Sequence, residues 1–314
     1  MINGANDRLP APAQHRAQEK LCEVGVRFGL FLLLWSWVSL AQAVTVVASI
    51  EPLAMLAREV LGDEAEVSTL LMPNQTPHFA AFTPGQARQV RDAELVIWLG
   101  HEAEPNVEGL VDKATGRTLA LLDLPQTVRR YGAAHEHDGH AHHDSELDPH
   151  LWLAPDNAVR LADALLALAP QLGLDAQQVA QRHRAFTEKL AQRRSDWQQQ
   201  FASLHDTPWL TQHNPWGYLV DEWQLNEPLM VSASLQGSAS ARRFAELVQQ
   251  MRARNVRCAV AEPEAQRALL ARLCQGECRI VDIDPLGRDL AGQGYVDFLQ
   301  HIATRLQTCL APAR

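Results

Sequence analysis

From Val44 onward, short apolar and β-branched runs alternate with stretches in which apolar residues recur every three or four positions. The runs at 45–49, 66–71, 93–100 and 118–124 predict four strands, with a helix near 52–61 and further helical segments between the later strands. The same cadence returns later. Runs at 208–212, 228–233, 256–261 and 279–283 predict four more strands, and helical patterns fall at 215–223, 239–254, 265–274 and 295–308. Strands alternating with helices imply parallel sheets built from βαβ units. Between the two series, residues 156–204 are almost wholly helical in composition. Pro170 and Gly173 break that stretch, and Asp175 is placed to cap a second helix running to about Leu204. The fold class is therefore α/β: two lobes, each with a mainly parallel sheet flanked by helices, joined by one long helix. The divisions are 44–174 for the N-terminal lobe, 175–204 for the linking helix and 205–314 for the C-terminal lobe, each lobe with its own core.

Residues 1–43 have a different character. Arg27 precedes an apolar run from Phe28 to Leu40, which ends at Ala41-Gln42-Ala43. A positive flank, an apolar stretch too short to span a membrane comfortably and a small-x-small site describe a secretory signal peptide cut before Val44, with an uncleaved anchor as the alternative. Cys22 precedes the apolar run, so there is no lipobox, and the expected product is a periplasmic monomer without stable membrane insertion. The 20 residues before the apolar flank are long for such a leader, so the true start codon could lie downstream.

Cleavage leaves 271 of the 314 residues, enough for two lobes, and a net charge of −10 against −9 for the whole chain. Excess negative charge disfavours nucleic acid and anionic membranes as partners and favours a cation. Four cysteines remain after the leader, Cys258, Cys274, Cys278 and Cys309, and an even number in an exported chain reads as disulfides. Cys274-Gln275-Gly276-Glu277-Cys278 can close on itself around its glycine, which leaves Cys258 with Cys309. A cysteine zinc site is the alternative.

Histidine placement identifies the cation as a metal. Residues 135–143 carry His135, His137, His140, His142 and His143, interleaved with Glu136 and Asp138. Such a tract collects metal with little selectivity. Firmer ligands are expected beyond the carboxyl ends of strands, where open α/β sheets gather what they bind. His78 follows the second strand, His150 follows Asp148-Pro149, His213 ends the first strand of the second series, and Asp284 ends its last. These four, two from each side, would give a four-coordinate site of nitrogen and oxygen donors in the cleft between the lobes. Glu262, also at a strand end, and water compete with Asp284 for the fourth position.

The segments Asp148-Pro149-His150-Leu151-Trp152-Leu153, His213-x-x-x-Gly217-Tyr218, Cys258-Ala259-Val260-Ala261-Glu262-Pro263 and Asp284-Pro285-Leu286-Gly287 together resemble the zinc-binding proteins of bacterial ABC uptake systems, the ZnuA type within metal-binding cluster A-I. The resemblance covers about residues 44–310. It implies two α/β lobes joined by a long helix, one Zn²⁺ in the cleft, the histidine tract beside the cleft mouth, and delivery to an inner-membrane ABC permease. It also implies a Cys258–Cys309 bridge, with Cys274–Cys278 as an addition. This chain departs from the pattern in three places. His78 is flanked by Pro77 and Phe79 where relatives often carry an acid, Pro84-Gly85-Gln86 replaces a Pro-Ser-Asp turn, and Asn214 stands where an aspartate often follows the third histidine.

An imidazole-dominated site favours Zn²⁺ over Mn²⁺, so a manganese-binding homologue is the lesser reading. Three histidines plus water would also suit a zinc hydrolase, but no general base is placed by motif, and the chain reads as no enzyme. A periplasmic zinc chaperone or buffer is the other alternative.

Overall fold

The computed structural model describes Met1 and residues 43–77, 81–132, 147–232 and 240–312. The expected leader apart from its two ends, His78, and all five histidines of the 135–143 tract lie outside the described residues. Both sheets belong to the compact unit Ala43–Arg314.

The first sheet contains β1 (Val44–Ala48), β2 (Ala65–Thr69), β3 (Leu95–Trp98) and β4 (Arg117–Ala120), and the second contains β5 (Trp209–Thr211), β6 (Leu229–Met230), β7 (Cys258–Ala261) and β8 (Arg279–Asp282). All pairings are parallel, and the orders are β2-β1-β3-β4 and β6-β5-β7-β8. The two sheets thus share one topology. In each, the winding reverses between the two central strands, β1 and β3 or β5 and β7, and loops leaving these strands diverge to open a crevice.

Strand residues alternate between two packed faces. Val46, Ala48, Leu95 and Ile97 enter one core, while Val47, Val96 and Trp98 enter another with Val90 and Val107. Cys258 and Val260 face the first of these cores, whereas Ala259 and Ala261 pack with Leu247 and Leu270. Covering both faces requires apolar residues at successive positions, which is why these strands read as unbroken apolar runs.

The first core includes Val46 and Leu95 from one sheet and Trp209, Cys258 and Val260 from the other. The lobes therefore share a core, where separate cores were expected from chain length. Periodicity marks which positions are apolar but not which neighbour covers them. Nine helices of seven residues or more flank the sheets among the described residues: α1 (Glu51–Leu61), α2 (Pro84–Asp92), α3 (Pro105–Val111), α4 (Pro155–Leu168), α5 (Ala176–Phe201), α6 (Gly217–Trp223), α7 (Ala241–Arg254), α8 (Arg267–Cys274) and α9 (Tyr295–Leu310).

Helix α5 has 26 residues, so it is about 39 Å long. Its buried positions, Val179, Phe186, Leu190, Trp197 and Phe201, repeat at spacings of seven and four and form one apolar stripe. The Asp175 side chain accepts from the Gln177 and Gln178 amides and fixes its start. Near that start Arg182 donates to Leu61 O at the end of α1, and further along Trp197 and Gln200 bond Gln300 and Ala303 of α9. The helix is held against both halves along its length. Among the described residues no helix is long and apolar enough to cross a membrane.

Cys258 and Cys309 form a disulfide with a Cα–Cα distance of 5.2 Å, joining β7 to the end of α9. Cys274 and Cys278 stand as thiols in the structure, not joined as the second expected bridge. Cys274 ends α8, and Gln275 and Gly276 both turn through left-handed φ values of 52° and 82°. That tight turn brings the sulfurs together as donor and acceptor. The shared hydrogen bond pushes the Cys274 thiol up and draws the Cys278 thiol down.

Glu104 lies at the reversal point of the first sheet, 1% exposed, with its carboxylate accepting from Leu99 N at 2.7 Å. Burial pushes it from 4.5 to about 7, against the opposing pull of the Leu99 amide and the Ser49 hydroxyl. An acid whose folded value is raised keeps its proton in the fold while the unfolded chain loses it. Stability of the metal-free protein therefore falls as pH rises from about 4.5 to about 7 and levels off above. The full swing is on the order of 3 kcal/mol. Glu104→Gln removes that term, so its stability relative to the parent should rise between pH 5 and pH 8 in urea melts. A difference that stays flat over this interval would place the proton elsewhere.

Candidate metal site

His150 follows Asp148-Pro149 and enters the short 3₁₀ turn Leu151–Leu153. Asp148 Oδ1 accepts from the His150 amide at 3.0 Å and meets His150 Nδ1 at 2.7 Å. Because a carboxylate only accepts, this contact keeps the proton on Nδ1 and leaves the Nε2 lone pair as the donor to a metal. Asp148 is itself fixed: its amide donates to Arg130 O at 2.8 Å, and its carbonyl accepts from Tyr218 Oη at 2.9 Å. His150 is 4% exposed. Burial holds its imidazole below the ordinary histidine range, outweighing the opposite effect of Asp148. The ring is thus kept neutral, as a ligand must be.

His213 comes two residues after β5, and Glu262 directly follows the adjacent strand β7. They occupy the reversal point of the second sheet. Glu262 Oε2 lies 2.9 Å from His213 Nδ1, so this ring too is oriented by a carboxylate. The other oxygen, Glu262 Oε1, is buried and has no hydrogen-bond partner among the described residues. The His150 and His213 rings approach to 5.0 Å between centroids at an angle of 57°. Two buried imidazoles from the two halves, each tied at Nδ1 to an acid, are what a carboxylate–histidine–metal arrangement requires.

The structure brings His150, His213 and Glu262 together. Asp284, expected as the fourth donor, instead accepts from Leu286 N, Arg288 N, Arg288 Nε and Arg288 Nη2 at 2.8–3.0 Å. Among the described residues, no three acidic, histidine or cysteine groups form a ready metal cluster. His78 lies outside that set, but both sides of its loop are braced. Gln75 Nε2 donates to Ala81 O at 2.8 Å, and Gln86, buried, donates to Gln75 Oε1 at 2.9 Å and Leu70 O at 2.6 Å. Gln86 also completes a capping box with Thr83 at the start of α2. The glutamine that replaces the usual acid therefore holds the approach to His78 by hydrogen bonds.

Arg130 was not legible from any local motif. It pairs with Asp221 at 3.1 Å and with Glu227, and Glu227 accepts from Asn214, the neighbour of His213, at 3.1 Å. An isolated antiparallel bridge, Tyr131–Leu147, closes the stem from which the histidine tract departs. The stem is therefore anchored to the second half beside the turns that carry His150 and His213.

The zinc-uptake complex component A (ZnuA) family model matches residues 46–309. The high-affinity zinc uptake protein ZnuA of Yersinia pestis is 27% identical over 305 residues, covering 89% of this chain and 95% of its own. ZnuA of Paracoccus denitrificans is 29% identical over 310 residues, covering 86% and 93%. Among solved structures, a ZnuA crystal structure superposes with TM-score 0.71 at 19% identity, covering 86% of this chain and all of that one. The laminin-binding protein of Streptococcus agalactiae gives 0.73 at 22%, with the same coverage. At those identities the structures establish the two-sheet fold, and the family match carries the assignment. The chain belongs to the ZnuA family of periplasmic zinc-uptake components.

Proposed function

We propose that this chain captures Zn²⁺ between its two sheets in the periplasm and passes it to the permease of an ABC-type zinc importer. The observation that carries the reading is the pair His150 and His213, buried, 5.0 Å apart and each fixed at Nδ1 by a carboxylate. Imidazole donors held in this way suit Zn²⁺ better than Mn²⁺, which prefers carboxylate-rich sets. His78 supplies the third nitrogen, from the loop braced by Gln75 and Gln86. With Asp284 engaged by Arg288, and Glu262 held on the Nδ1 side of His213 away from a metal on Nε2, the fourth position falls to water. Zinc is cargo here, so the site must release as well as hold it, and a water-occupied position offers a route for exchange.

Residues 135–143 collect ions at lower affinity, since a tract of acids and imidazoles must pay conformational entropy to close round a metal. Competition titration of the mature chain should give one tight zinc equivalent plus weaker ones. Deletion of 134–144 should leave the tight equivalent and remove the weak ones. Loss of the tight equivalent on deletion would place a primary ligand in the tract and overturn this assignment.

A further inference from the structure

Arg288 occupies a position that zinc coordination itself does not explain. Its guanidinium is 14% exposed and forms a bidentate pair with Asp284, at 2.8 Å from Nε to Oδ2 and 3.0 Å from Nη2 to Oδ1. Nη1 pairs with Glu264 Oε1 at 2.6 Å and also reaches Pro73 O and Gln75 O, each at 3.4 Å. Asp284 follows β8 and Glu264 follows β7, both in the second sheet, whereas Pro73 and Gln75 follow β2 of the first. One half-buried cation thus ties the 73–75 segment onto the opposite half of the molecule. The backbone supports that placement. Gly287 has φ +60°, and a Cβ there would lie 2.6 Å from the Phe298 ring, so only glycine allows the turn that presents Arg288.

We propose that Arg288 is a positioning residue for zinc retention, with Asp284 as its anchor and not a ligand. This rests on the zinc site proposed above. The Asp284 carboxylate fixes the fork of the guanidinium at Nε and Nη2 and accepts from the Leu286 and Arg288 amides, so the remaining Nη1 reaches Glu264 and the carbonyls of Pro73 and Gln75. With the tie intact, the 73–75 segment is held against the half that carries His213. Without it, that segment must be fixed each time zinc binds, and the bound ion is released faster. Supporting contacts of this kind typically change metal affinity roughly 10–100-fold.

The test compares wild type, Arg288→Gln, Arg288→Lys, Asp284→Asn and the Gln/Asn double variant. Zinc release is followed in stopped flow with a chelator in excess, and the visible spectrum is recorded for the Co²⁺-loaded proteins. Arg288→Gln and Asp284→Asn should each speed release roughly tenfold or more, and the double variant should be no faster than the quicker single. Arg288→Lys, which keeps the charge without the fork, should release more slowly than Arg288→Gln. The Co²⁺ spectrum of Asp284→Asn should match wild type, because no ligand has changed. A shifted spectrum would make Asp284 a ligand, and wild-type release rates in the singles would remove the positioning role. Either result overturns the proposal. If Arg288→Gln does not fold, Arg288→Lys and Asp284→Asn decide the matter by the same criteria. Failure of the wild type to hold one tight zinc would instead sink the zinc reading itself.

Discussion

His150→Ala and His213→Ala should each weaken zinc binding by roughly 10²–10³ in competition titration, with the folded state retained. Structural zinc sites with four ligands have apparent binding free energies of about 10–16 kcal/mol. Shared evenly, one ligand carries about 2.5–4 kcal/mol, and each 1.4 kcal/mol is about tenfold in affinity. Glu262→Gln tests the layer behind the ligand. It leaves both imidazoles in place but weakens the carboxylate partner of His213 Nδ1, 2.9 Å away, and a partner of that kind is worth about 10–100-fold. The ranking matters as much as the sizes: histidine losses should exceed the glutamate loss. Replacement of His183, on α5 and paired with Asp163 of α4, should leave zinc affinity unchanged. Affinity within twofold of wild type for either His150→Ala or His213→Ala would show that the site has been misplaced.

The pH dependence follows from the same geometry. A free imidazole near 6.5 must lose a proton to bind zinc, so affinity at an ordinary histidine falls as pH drops through that value. Burial places the His150 ring below its ordinary range. It is already neutral where a solvated histidine is not, so its contribution to affinity persists to lower pH. The weaker zinc equivalents assigned to the 135–143 tract should be lost first on acidification.

The strands were legible because both faces of each sheet are covered, which forces continuous apolar runs such as Leu95-Val96-Ile97-Trp98. The start of α5 was legible because Asp175 is a local cap followed by a long unbroken helical pattern. Helices α6, α7 and α8 begin two residues later than their patterns suggest, since Pro215 and the turns at Ser240 and Gln266 delay the first helical residue. Long-range choices are another matter. Nothing local in Asp284-Pro285 reveals that Arg288 will fold back on it. Nor does sequence position show that Glu262 and His213, 49 residues apart, end on neighbouring strands. Arg130 acquires its partners across 91 and 97 residues, from a helix and a loop of the other half. Such contacts are set by strand order, which periodicity does not encode.

Removal of the Cys258–Cys309 bridge should have the largest effect on stability of any change outside the metal site. The bond closes a loop with a sequence separation of 51. The chain-entropy model then assigns about 4 kcal/mol to constraint of the unfolded chain. Cys258 is 1% and Cys309 3% exposed, so both belong to packed core. They join β7, whose next residue is Glu262, to α9, which packs on the linking helix α5 and carries Tyr295, whose hydroxyl donates to Trp152 O. The bridge therefore constrains the elements that orient both His213 and the turn after His150. The double variant Cys258→Ala with Cys309→Ala should lose about 4 kcal/mol in urea unfolding. At about 2–4 °C per kcal/mol for a chain of this size, its Tm should fall by roughly 8–16 °C. Wild type in excess reductant should approach the variant. Cys274→Ala with Cys278→Ala provides the contrast: held as thiols, that pair should contribute less than about 1 kcal/mol, whereas a closed five-residue loop would contribute about 2 kcal/mol. A Cys258/Cys309 variant as stable as wild type, with reductant also without effect, would show that the unfolded chain gains nothing from the constraint.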